Sequence, residues 1–340
     1  MRKFSAGRTA AVLASGLLLI LVAVYFSLTY GNFEISVKDI VKTLLRIDPQ
    51  PEYDLVVFEF RLPRIVLGAC IGFALGIAGC VLQGITRNGL ADPGVLGINA
   101  GAGMAVVLFM FLFQGTVNLT GWLGVMTMPL FGLAGGFAAL AAIYSFARQG
   151  GRLDPQRLIL VGIAMGTGFG AVTMYVSLKM NPQDYEMAAV WLSGSLHGAN
   201  WKFVAAMLPW LLIIPLVIWL RSSVLDLLQL GEENAKGLGV ALEREKNLLL
   251  LCSIGLISAS VAFAGAIAFV GLIAPHLARQ LVGLQHKHIL PVSGLIGIAM
   301  LVIGDLIGKT VFAPAELAVG VVISILGVPY FVYLLIRNRK

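Results

Sequence analysis

Gly304–Thr310 reads GDLIGKT, and a Gly-Lys-Thr run is how a phosphate-binding loop ends. Such a loop needs GxxxxGK[ST] between a strand and a helix, so that successive backbone N–H groups close around the phosphates. Here the spacing is one residue short, Ile303 stands where the first glycine belongs, and the run closes a long apolar stretch. A nucleotide site is therefore not expected. His286 and His288 form an HxH pair, but a metal needs further converging ligands and none is nearby in the sequence, so both are expected to be solvated. His276 follows Pro275 in an apolar stretch and is expected to hydrogen-bond across helices or reach an interface. Neither HExxH nor GxSxG occurs, and no two carboxylates share an apolar segment. The chain is not expected to be an enzyme or to bind a cofactor.

What remains is charge at particular places. Arg61 and Arg64 lie three residues apart in RLPR, at the start of an apolar run. Asp305 and Lys309 lie four apart, a spacing that lets them pair along one helix. The chain has 24 Lys and Arg and 17 Asp and Glu in 340 residues, and nine of these charges crowd into 221–246, RSSVLDLLQLGEENAKGLGVALEREK. In that island Gly231 precedes a short helix with Glu232 and Glu233 in its first turn and Lys236 near its end, which suits the helix dipole. Gly237 and Gly239 can end it, and the small Ala235 permits close contact.

The elements that carry these charges are overwhelmingly apolar. The chain is 59% hydrophobic and 12% charged, against about 25% charged in soluble domains, and mean hydropathy is +0.92. Repeated apolar runs of about 20 residues, each able to cross a bilayer core, predict an all-α polytopic membrane protein. Ten spans are expected: 9–30, 64–85, 95–113, 121–147, 157–179, 200–220, 246–263, 266–283, 289–308 and 316–336. Ala262–Ala268 offers only Gly265 as a break, so the turn there must be tight. The basic start Met1–Arg8 and the apolar run after it resemble a signal peptide, but the run is long and lacks a convincing cleavage site, so it is read as an uncleaved first span. With the N-terminus inside, sixteen Lys and Arg fall on the inner side and eight on the outer, including Lys38, Lys42, Arg46, Arg61, Arg64 and Lys309. That bias predicts both termini in the cytoplasm, with the 221–246 island also inside. The +7 net charge is read in the same way, and no nucleic-acid partner is expected.

Between spans, ISVKDIVKTLL (35–45) has helical apolar spacing and is expected to form a short surface helix on the outer side. Another short helix is expected within 181–200. Cys70, Cys80 and Cys252 lie in apolar segments and suggest no disulfide framework. Gly68, Gly72 and Gly76 recur every four residues on one helix face, where another backbone can approach. Thr86–Gly103, TRNGLADPGVLGINAGAG, breaks any helix while staying only mildly polar, as backbone lining a cavity or buried in protein does.

Several of these strings, in order, resemble the FecCD family of ABC-importer permeases: RLPR with LQG, RN, LADPG, LG and GAG behind it, then WLSGSLHGANW, LGEENAKGLGV, AFVGLIAPHLAR, GDLIGK and ELAVGVVISILGVPYFVYLL. The resemblance runs from Arg61 nearly to the end of the chain. It implies one permease domain over 1–340, with ten spans in a five-plus-five inverted repeat. A second permease chain, identical or paralogous, would complete the pathway. Two separate ATPase subunits would bind ATP, and a substrate-binding protein would deliver an iron chelate, a ferric siderophore before haem or cobalamin. It places the binding-protein dock at Arg61, Arg64 and Lys309; the last is often an arginine in the family, so a bidentate contact is lost here. It places ATPase coupling at Gly231, Glu232, Ala235 and Gly239, and a translocation path along glycine-rich spans, at Gly72, Gly76, Gly166 and Gly170. The bacterial plasma membrane is the implied location. An ion-gradient-driven carrier is the competing reading, and it would need ionisable groups at mid-membrane depth.

Overall fold

Helices account for nearly all regular structure in the computed structural model, which describes residues 6–31, 35–47, 50–92, 94, 97–113, 121–149, 152–153, 155–237 and 241–337. Among the described residues fifteen α-helices follow one another: α1 (Ala6–Thr29), α2 (Val37–Leu44), α3 (Pro51–Asp54), α4 (Leu62–Thr86), α5 (Ile98–Phe113), α6 (Gly121–Ala147), α7 (Pro155–Ser177), α8 (Pro182–Leu192), α9 (Trp201–Leu220), α10 (Ser222–Gln229), α11 (Glu232–Gly237), α12 (Leu242–Ala264), α13 (Val270–Val282), α14 (His286–Thr310) and α15 (Val319–Arg337). Between α6 and α7 a two-residue antiparallel ladder pairs Arg148 with Leu153 and Gln149 with Arg152.

All ten expected spans hold helices. Among the described residues, eight helical stretches are long and apolar enough to cross a membrane: those of α1, α3–α4, α6, α7, α9, α12, α14 and α15. The other two are shorter than expected. Helix α5 has 16 residues and α13 only 13, or about 24 and 20 Å of rise, too little alone for a core of about 30 Å. Non-helical chain precedes each of them.

The break before α13 shows how the protein satisfies such chain. Gly265 takes φ +70° and lies against the carbonyl of Trp191, where a side chain would overlap it. Ser195 N–H donates to Ala264 O at 2.8 Å, and Gly320 N–H to Gly194 O at 2.9 Å. Three helix ends therefore exchange backbone hydrogen bonds, which removes the cost of orphan groups away from water. Phe269, at φ +66°, opens α13 in a left-handed conformation.

Helix α4 is the centre of the bundle. It extends backwards through a π-helical turn, Leu55–Arg61, in which Leu62 N–H reaches five residues back to Val57 O. Pro63 explains the wide turn: its ring has no N–H and collides with the carbonyl four residues before it. Most of α4 is buried, in one apolar cluster with α9, α12, α13 and α14. Its closest neighbour is α14. A Cβ on Gly72 would overlap the Gly297 carbonyl, and one on Gly76 that of Ser293, so these backbones touch where no side chain fits.

Candidate functional site

Polar side chains gather at the two ends of the apolar bundle and on one cavity between them. At the first end the α4–α14 seam brings Arg64 to Asp305. Arg64 Nε lies 2.9 and 3.1 Å from the two carboxylate oxygens, and Nη2 is 2.8 Å from Oδ1. Arg64 Nη1 donates to Glu316 Oε2 at 2.7 Å. Asp305 therefore does not pair with Lys309 along its own helix, as the spacing suggests. The planar guanidinium matches a carboxylate on two atoms, and the glycine seam delivers it within reach. Lys309 turns instead to α1, where Nζ donates to Ser27 O at 2.9 Å and Ser27 Oγ at 2.6 Å. Arg61 also bonds α1, through the carbonyl of Leu28.

All three basic residues expected to dock a partner therefore hold helices together inside this chain. Arg61 and Lys309 are buried, and the Arg64 side chain is 17% exposed. Glu316, in the segment before α15, is the more open partner at 31%. Burial disfavours its charged form, but the Arg64 guanidinium outweighs this by hydrogen bond and charge, aided by His197 and Lys309. Its carboxyl is held below the usual carboxylate range. Trp201 Nε1 donates to Phe58 O at 2.7 Å, tying the start of α9 to the same end.

The second end is built by α10 and α11. Leu225 and Leu228 are buried, and Gln229 Nε2 donates to Gly84 O at 3.3 Å, so α10 lies under the end of α4. Asp226 Oδ1 accepts from His286 N–H at 2.9 Å and faces its Nδ1 at 2.6 Å. His286 is thus buried against a carboxylate, not solvated as its loop-like sequence suggests, whereas His288 is half-buried. His276 bonds within its own helix, to Gln280 at 2.8 Å, with its ring edge against Tyr330. Arg221 pairs with Glu245 at 2.8 Å across the island. Gly231 takes φ +100° between α10 and α11, a conformation that favours glycine. Ala235 is fully buried beneath its own chain. Glu232 opens α11, and Gly239 lies outside the described residues.

Between the ends, a cavity of about 710 Å³ opens among α5, α7, α8, α13 and α15. Gly170 is on its wall, with open space beside it, whereas Gly166 packs on the backbone of Gly97. Gly72 and Gly76 join helices in the seam. Two residues that sequence reasoning did not single out also line the cavity. Asp92 is buried and accepts from Gly94 N–H and Phe269 N–H, both at 3.2 Å. Asn99 is 8% exposed, and its Oδ1 has no hydrogen-bond partner among the described residues. The available signal was an acid and an amide in a mildly polar, glycine-broken stretch between two spans. Thr173, Ser177 and Tyr185 add hydroxyls to walls that are otherwise apolar.

Known proteins resemble this chain over most of its length. The chain is 52% identical over 323 residues to the iron-uptake system permease protein FeuC of Bacillus subtilis, covering 95% of this chain and 96% of that one. It is 45% identical to the iron(3+)-hydroxamate import system permease protein FhuG of the same organism, with 96% of each chain covered. A metal-chelate type ABC transporter solved in an inward-facing conformation superposes with a TM-score of 0.83 at 28% identity, covering 96% of this chain and 99% of that one. Residues 18–337 match the model of the FecCD transport family, and the chain belongs to that family.

Proposed function

We propose that this chain is the membrane-spanning permease of an ABC importer that carries an iron chelate, most simply a ferric siderophore, across a bacterial plasma membrane. The observation that carries the reading is 52% identity, over 95% of the chain, to a permease of an iron-uptake system. Both termini lie in the cytoplasm in this reading, so the Arg64 end faces out and α10–α11 face in. A binding protein docks at the Arg64 end. A carboxylate reaching Arg64 must share it with Glu316 or displace it, because Glu316 holds the more open side of the guanidinium. Chelate then passes along α7 and the cavity that Gly170 lines, completed by a second permease chain. Its mostly apolar walls suit a large, weakly polar complex. Two separate ATPase subunits grip α10–α11 around Gly231, Glu232, Ala235 and Gly239, and ATP is bound and hydrolysed on those subunits.

An ion-gradient carrier would need an exchangeable acid on the path. Asp92 is the acid on the cavity wall, but both its oxygens already accept backbone N–H groups. It ties the stretch before α5 to the start of α13, which weighs against that role. Co-reconstitution with an ATPase and a binding protein of such an importer decides the matter. Uptake of ferric siderophore should require ATP and both partners. Uptake driven by a proton gradient with no ATPase present overturns the proposal.

A further inference from the structure

The outward-turned aliphatic face of α2 is left exposed by the described residues. Ser36 caps the helix, its Oγ accepting from Asp39 N–H at 3.2 Å and donating to the Asp39 carboxylate at 2.6 Å. Ile40 and Thr43 are buried and face the small cluster formed with Leu28, Val57 and Ile65. Val37, Val41, Leu44 and Leu45 recur at i, i+4, i+7 and i+8, and with Ile47 they are between 41 and 67% exposed. At about 100° per residue they form one stripe, turned well away from Ile40 and Thr43. Lys38 and Lys42 stand side by side along the far edge of that stripe. The helix therefore has a face packed on protein, an aliphatic face open, and a basic border.

Its position in the fold says what covers the open face. The last turns of α1 carry Tyr25, Phe26 and Tyr30, each at least 41% exposed, with Tyr25 edge-on to Phe26 at 5.3 Å and Phe26 5.9 Å from Tyr30. Aromatic residues at the end of a span mark the level of the lipid headgroups. A groove of about 440 Å³ lined by Tyr25, Phe26, Tyr30, Ile35 and Val37 joins those rings directly to the start of α2. The aliphatic stripe is thus continuous with the lipid-facing end of a span.

We propose that the Val37–Val41–Leu44–Leu45 face of α2 is seated in the membrane interface at the Arg64 end, with Lys38 and Lys42 at the level of lipid phosphates. Long lysine stems run along the apolar boundary while their ammonium groups meet anionic headgroups. A soluble acidic partner would need the cations in front; here the aliphatic side chains lead and the lysines form the border. The helix then holds α3 and the π-helical turn, which pack beside it, at a fixed height above the bilayer. The inference does not depend on what the chain transports.

The test uses the full chain in nanodiscs of phosphatidylethanolamine and phosphatidylglycerol, with Cys70, Cys80 and Cys252 replaced by alanine. An environment-sensitive fluorophore is placed in turn at V41C, L44C and K38C. Lipids brominated along the acyl chain should quench positions 41 and 44 several-fold more than aqueous iodide does, with the ratio falling sharply at 38. Iodide quenching at 41 and 44 equal to that at 38 overturns the proposal, since the stripe then faces water and awaits a soluble partner. A label-free measurement with the native cysteines covers failure of the alanine background. Thermal stability should rise with phosphatidylglycerol content in the native chain, and this rise should shrink in K38Q/K42Q. An unchanged lipid dependence in that variant overturns the proposal. Neither readout requires uptake, so a failed transport assignment leaves both outcomes interpretable.

Discussion

Arg64 is clamped by two carboxylates of unequal burial, and the inequality sets what each is worth. Asp305 is 5% exposed and meets the guanidinium on two atoms; Glu316 is 31% exposed and meets it on one. Removing one partner of a buried pair strands the other charge, at about 3–5 kcal/mol, while a half-open pair contributes far less. D305A should therefore lower the unfolding temperature much more than E316Q, and the R64A/D305A double variant should cost much less than the sum of the single changes. Glu316 also sets a pH effect. A carboxyl held below its usual range adds stability that is complete above the unfolded value, about 4.3, and is lost as pH falls through its lower folded value. The difference in stability between the native chain and E316Q should be flat above that pH and shrink below it. Docking tests the same residue from outside. R64E should weaken association with the binding protein, more at low salt than at high. Unchanged affinity would leave Arg64 as a clamp between helices.

Helices were easier to read from the sequence than their interruptions. The helices in all ten expected spans are visible because each carries its own apolar run, and the four-residue glycine spacing in α4 announces a close seam. The break before α13 is signalled only by Gly265, and its extent to Val270 is not visible, because Ala262–Ala268 is otherwise uniformly apolar. What breaks the helix there is the carbonyl of Trp191 against Gly265 and the bond from Ser195 to Ala264, contacts made by chain some 70 residues earlier. His286 is misread for the same reason: Asp226, its partner, is 60 residues away. The glycines show a similar division, since spacing does not say whether a small residue faces a helix or a cavity. Gly76 meets the Ser293 backbone, whereas Gly170 has nothing within 4 Å. Gly76→Ala should push α4 and α14 apart at a cost of about 1–3 kcal/mol. Gly170→Ala should leave unfolding unchanged. Equal melting temperatures for the two variants would show that the seam yields freely.

At the scale of the whole molecule, the two polar ends are separated by the apolar length of α4, α12 and α14, so work done at one reaches the other only through packed helices. Gly231 and α11 sit at one end, and Arg64 with Glu316 at the other. Coupling across such a body needs an element that both ends bias, and α4 is suited to it. Arg64 grips α14 near the start of α4, while Gln229 of α10 bonds the Gly84 carbonyl near its end. If the ends have separate tasks, a change at one should spare the task of the other. E232A should depress ATP-driven uptake and the ATPase stimulation that accompanies it, with association of the binding protein unchanged. R64E should do the reverse, weakening that association while leaving binding of the ATPase to the permease intact. G231A adds a graded case, because a side chain at φ +100° strains the turn between α10 and α11. It should lower uptake part-way, with ATPase affinity lowered to match. Loss of binding-protein association in E232A, measured on protein with an unaltered unfolding temperature, would show that the two ends are not separable and that α10–α11 shapes the dock as well as the drive.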